Sequence, residues 1–87
     1  MMREAIFREF EIERDKQDRM WGGEAHDAHH TAHDWIAYLV KHVGKAVHWP
    51  WTVERFRHQM VIIGALSVAI IEWCDAQRTV GDRPPSV

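Results

Sequence analysis

An all-α protomer of three helices, associating through a central apolar third helix, is the fold this sequence predicts. Three observations predict it. Apolar residues recur at helical spacing in three segments separated by two short breaks. The run MVIIGALSVAII, from Met60 to Ile71, has no charge on any face. The chain has 87 residues, near the size at which one hydrophobic core supplies only a few kcal/mol and association adds the rest.

The first helix is expected over about Arg3 to Met20. Ile6 and Phe10 stand at i and i+4, and the pairs Glu4/Arg8 and Asp15/Arg19 have favourable spacing. It stops at Trp21-Gly22-Gly23, where glycine permits the positive φ of a helix end. The second helix opens near Thr31, a hydroxyl cap with Asp34 three residues on, and runs through Trp35, Ile36, Leu39, Val40 and Val43. It frays after Gly44 and ends before Trp49-Pro50-Trp51, because proline disfavours helix at the preceding residue.

Thr52 caps the third helix, about Val53 to Arg78. The charge-free run within it covers ~18 Å as a helix, short of the ~30 Å of a bilayer core, so the sequence reads as a buried helix and no membrane span. Two neighbours cover only part of a helix that is apolar all round. Gly64, Ala65, Ser67 and Ala69 lack bulk, and a second copy of the chain is the simplest partner to approach there, giving a dimer or tetramer through Met60–Ile71. Residues 1–80 form a single domain, and the GDRPPSV stretch, 81–87, reads as a flexible tail.

A formal charge of −2, from 11 basic and 13 acidic residues, leaves no electrostatic footprint for a nucleic-acid backbone. Cys74 is the only cysteine, which excludes an internal disulfide or a cysteine zinc cluster and suits a reducing compartment. The first residues are charged throughout, with no apolar signal region, so a cytoplasmic protein is expected.

Candidate site residues follow from the faces. The line set by Ile6 and Phe10 continues at Glu13 and Gln17, placing two polar side chains either against the core or beyond its end. Asp34 sits in the first turn of its helix, where the dipole favours an acid and capping is the ordinary role. Glu72 and Asp75, in EWCD, share a face at a spacing that suits either a divalent cation or plain solvation. HDAHHTAHDW, residues 26–35, holds four histidines. Within it His29 and His33 have the i, i+4 spacing of two transition-metal ligands, provided that the segment is helical. Solvated or hydrogen-bonded histidines are the simpler reading.

These residues also form a larger pattern. Glu13-Arg14 with Gln17, His26-Asp27 with His30, Asp34, Trp49-Pro50-Trp51, and GALSVAIIEWCD from Gly64 to Asp75 together resemble small helical proteins of phages and other mobile elements. Those look like distant relatives of the all-α MazG-like nucleoside triphosphate pyrophosphohydrolases. The resemblance implies helical bundles that associate as dimers or tetramers, with helix-borne acids holding magnesium against a triphosphate. The matched acids are Glu13, Asp27, Asp34 and Glu72. The chain departs from the pattern at Ala28, Gln59, Ile62 and Ile70, where related proteins carry charge.

Three functions are therefore expected in competition. The first is a helical oligomer acting as an interaction or small-molecule-binding module, with Gln17, Trp35, Trp49 and Trp51 lining a pocket for a nucleotide or other small ligand. The second is a magnesium-dependent nucleoside triphosphate pyrophosphohydrolase in which Glu13, Asp34 and Glu72 hold the metal. The third is a histidine-based metal protein using His29 and His33. Loss of charge at Gln59 and Ile62 favours the first.

Overall fold

In a computed structural model of the protein, residues 2–22 and 29–81 are described, with side chains through residue 78. They form three helices, α1 (Arg3–Trp21), α2 (Ala32–Ala46) and α3 (Val53–Gly81). Among the described residues there is no strand. The ends obey the local chemistry. Gly22, at φ 92°, closes α1 and donates its N–H to the Asp18 carbonyl at 3.0 Å. Thr31 and Asp34 form a reciprocal capping box on α2, the Thr31 N–H donating to Asp34 Oδ2 at 2.9 Å and the Asp34 N–H to Thr31 Oγ1 at 3.2 Å. Thr52 Oγ1 accepts the Arg55 N–H at 3.1 Å, opening α3.

Helix ends lie slightly beyond those expected. α2 continues past Gly44 to Ala46, and α3 past Arg78 to Gly81; the expected tail, from residue 82 on, lies outside the described residues. Ser67 sits in the apolar run without disturbing it because its hydroxyl donates to the Ile63 carbonyl one turn back, at 3.0 Å.

The helices run up, down and up, with α1 and α2 both packed along α3. On one side Glu9 meets Arg57, Phe10 meets Gly64 and Arg14 meets Glu72, so α1 and α3 ascend together. On the other, His42 meets Gln59 while Trp35 packs on Leu66 and Ala69, so α2 descends along α3. Residues without bulk make this proximity feasible. A Cβ on Gly64 would lie 2.5 Å from two ring carbons of Phe10, while Ala65 and Ala69 are buried inside the protomer. The small residues expected to admit a second copy thus mostly serve α1 and α2, and Ser67 alone of the four is exposed.

Among the described residues the buried apolar ones are few: Trp35, Ala46, Ala65, Leu66 and Ala69. Large apolar side chains remain exposed on every helix, among them Phe7, Ile12, Ile36, Val40, Val43, Met60, Val68 and Ile71. Counted over Val53–Arg78 rather than over the charge-free run alone, α3 is long and apolar enough to cross a membrane, and only 17% of its most apolar window is buried within the protomer.

Candidate functional site

The C-terminus of α1, the start of α2 and the C-terminal half of α3 meet in a group of aromatic rings. Trp35, 2% exposed, lies on Leu66 and Ala69, with Trp21, Leu39 and Trp73 packed around it. His30 stacks on Trp35, ring centroids 4.8 Å apart, and its Nε2 lies 3.2 Å from the Tyr38 hydroxyl. Tyr38 in turn stacks on Trp21 at 6.2 Å, joining α2 to α1. Helical spacing brings these groups together, since Trp35 and Tyr38 are three residues apart on one face and His30 folds back from just before the cap.

Gln17 enters the protomer interior from α1. On the stripe Phe10, Arg14, Gln17 and Trp21, Phe10 touches Gly64, Arg14 bonds to Glu72 and Trp21 packs on the Trp35 cluster. Gln17 lies between Arg14 and Trp21 and is 2% exposed, which resolves the two alternatives the sequence left open in favour of burial. Glu13 on the neighbouring line is half-buried. Both polar atoms of the Gln17 amide are buried with no hydrogen-bond partner, and so are the indole nitrogens of Trp35 and Trp73. Each such group costs about 1–3 kcal/mol relative to a satisfied one. The interior thus offers two indole donors, an amide donor and one carbonyl acceptor, all unused by the protein.

Arg14 is the other buried polar residue, and it is well compensated. Its Nε donates to Glu72 Oε1 at 3.0 Å and its Nη1 lies 2.6 Å from Asp18 Oδ1. Glu72 is otherwise exposed. At the far end of α1 an exposed bidentate pair joins Arg57 to Glu9, at 2.8 and 2.5 Å. The Arg57 hydrogen bond holds the Glu9 carboxyl below its ordinary range, and the same bond raises Arg57.

Of the three acids expected to hold magnesium, Asp34 and Glu72 each have a local partner of their own, while Glu13 is half-buried on α1. Asp34 is a cap, its carboxyl held below the ordinary range first by the Thr31 backbone N–H. Glu72 is the partner of Arg14. Among the described residues no three His, Cys, Asp or Glu side chains gather as a metal site. His29 and His33 are both exposed, and they fall on either side of the Thr31 cap, so His29 lies outside the helix that their spacing assumes. His26 and Asp27 lie outside the described residues.

The expected pocket also divides. Trp35 is in the first turn of α2, whereas Trp49 and Trp51 lie beyond its other end, with roughly 16 Å of helix between Trp35 and Ala46. Trp49 is 82% exposed, and Trp51 lies against Phe56 with centroids 5.7 Å apart. Gln17 and Trp35 belong to one end of the protomer and the Trp-Pro-Trp junction to the other. Sequence reasoning missed His30, Tyr38 and Trp73 as members of the site. Trp73 was overshadowed by its acidic neighbours in EWCD, although it stands four residues after Ala69 on the face that meets Trp35.

Compared with family models, with curated proteins and with solved structures, the chain matches none.

Proposed function

We propose that this protein is a helical homo-oligomer that serves as an interaction and small-molecule-binding module, built on a bundle of MazG-like ancestry. The observation that carries the reading is the exposure of large apolar side chains on all three helices around a core of only a few buried residues.

Lipid is the competing cover for α3, and the packing of α1 speaks against it. α1 lies along α3 between the Glu9–Arg57 and Arg14–Glu72 pairs, which bracket the apolar run. A helix as charged as REAIFREFEIERDKQDRMW placed there would carry its ions into hydrocarbon at several kcal/mol. We therefore read α3 as the core helix of a soluble, cytoplasmic assembly.

The ligand site in this reading is the interior around Gln17, Trp35 and Trp73. Three donor groups and one acceptor suit a small polar molecule rich in acceptors, such as the carbonyl edge of a nucleobase, with the indole and imidazole rings available for stacking. The test is a thermal-shift and pyrophosphate-release panel of nucleosides and nucleoside triphosphates, with and without magnesium. Stabilisation by a base-bearing ligand that is lost in Gln17→Met, without turnover, is the expected result. Turnover that requires magnesium and is abolished by Glu13→Gln and Asp34→Asn would replace this reading with the pyrophosphohydrolase.

A further inference from the structure

We propose that the Trp49-Pro50-Trp51 junction is a docking tip for an anionic lipid surface, against which the protein rests end-on without inserting a helix. The proposal is independent of how copies associate and of the ligand site around Gln17. The junction lies where α2 stops and α3 starts, at the end of the protomer away from the Trp35 cluster. Its apolar side chains stay in water: Trp49 is 82% and Trp51 46% exposed, and the flanking Val47 and Val53 are 69% and 61% exposed. A compact exposed apolar patch with a polar rim is the mark of a contact site.

The charge of the rim identifies the partner. Lys45 lies in the last turn of α2 with Lys41 one turn before it, both exposed, and the Arg55 guanidinium reaches back to donate to the Pro50 carbonyl at 3.4 Å. From Lys41 to His58 the only acid is Glu54, while Arg57 is matched by Glu9, and Arg3 and Glu4 at the start of α1 offset one another. Asp34, Glu72 and Asp75 sit at the opposite end, so the formal charge of −2 conceals a cationic tip. Tryptophan favours the headgroup level of a bilayer, where its ring is apolar and its N–H wet. Lysine and arginine beside it are drawn to anionic headgroups, and their aliphatic stems can follow the rings into the interface. A single-stranded nucleic acid offers phosphates too, but it is held by successive open aromatic faces. Here Trp51 already lies against Phe56, with centroids 5.7 Å apart, and the remaining apolar neighbours are valines, which suit acyl chains and offer a base no ring to stack on. Contact at the tip also leaves the charges of α1 in water, unlike a lipid cover along α3.

The test is co-sedimentation of the full chain with phosphatidylcholine vesicles, with and without phosphatidylserine, each variant being checked for helix content by circular dichroism. Capture by the anionic vesicles alone is expected at low salt, with release at ~1 M salt, where the Debye length is ~3 Å. Trp49→Ser, and the pair Lys41→Glu with Lys45→Glu, should each weaken capture about tenfold or more. Lys16→Glu with Arg19→Glu makes the same charge change on exposed residues at the other end and should leave capture unchanged. Equal losses from the two charge pairs would overturn the tip as the site, and capture that resists salt would replace surface docking with insertion of α3. No capture by anionic vesicles would overturn the proposal outright, and a single-stranded oligonucleotide then bound through Trp49 would put nucleic acid in its place.

Discussion

Gly64 of α3 and Phe10 of α1 are in direct contact: any side chain at position 64 would place its first carbon within 2.8 Å of three carbons of the phenyl ring. The glycine therefore sets how closely α1 lies on α3 within one protomer. Gly64→Ala should lower the thermal midpoint, since overpacking costs about 1–3 kcal/mol and exceeds the roughly 1 kcal/mol that alanine gains in helix propensity. In a Phe10→Ala background the same substitution should become neutral or stabilising. A double-mutant cycle that shows no coupling would contradict the contact.

Gln17 should be a stability liability in the ligand-free protein. Gln17→Met removes two unsatisfied buried polar atoms and keeps the volume, so the midpoint should rise by the equivalent of about 1 kcal/mol, roughly 4–8 °C for a domain of this size. A fall in the midpoint would mean that the amide is already paired in solution. The residue would then be structural.

Much of this architecture was legible in the sequence, and the parts that were not have physical reasons. Thr31, Asp34, Thr52 and Gly22 act through their own nearest backbone, so their roles follow from local spacing and all were expected. Burial of Gln17 depends on how far α3 extends beside α1, which no local pattern encodes. Trp35 lies buried in the aromatic cluster, but Trp49 and Trp51 were grouped with it through residue type, and most of α2 stands between them. Gly64 was read as a seat for a second copy because a small residue on a helix shows that something approaches closely without saying what.

Acid should weaken the protomer through two carboxylates with named partners. The folded-state pKa values of Glu9 and Asp34 are depressed, by the Arg57 hydrogen bond and the Thr31 N–H respectively. Their contribution is present above the unfolded carboxylate range of ~4 and is lost as pH falls through the lower folded values. Asp34→Ala removes one of these carboxylates together with its half of the capping box, lowers stability at neutral pH, and should make the acid limb of the stability curve shallower. An acid limb identical in the variant would contradict the linkage.

Chelation separates the readings of the acids. With Asp34 engaged in its cap and Glu72 bonded to Arg14, EDTA should leave the thermal midpoint and the molar mass unchanged. A magnesium site held at 100 times its Kd would contribute ~2.7 kcal/mol to stability, a loss readily seen on chelation. Such a loss, reversed by magnesium and absent in Glu72→Gln, would restore the metal-dependent enzyme.

The exposed apolar faces of α2 and α3 call for association, which sedimentation equilibrium of the wild-type chain in detergent-free buffer tests most directly. At micromolar concentration the chain should be a soluble dimer or tetramer with helical circular dichroism, its mass falling only on dilution well below that range. A folded, helical, soluble species at the 10.3 kDa monomer mass would contradict it.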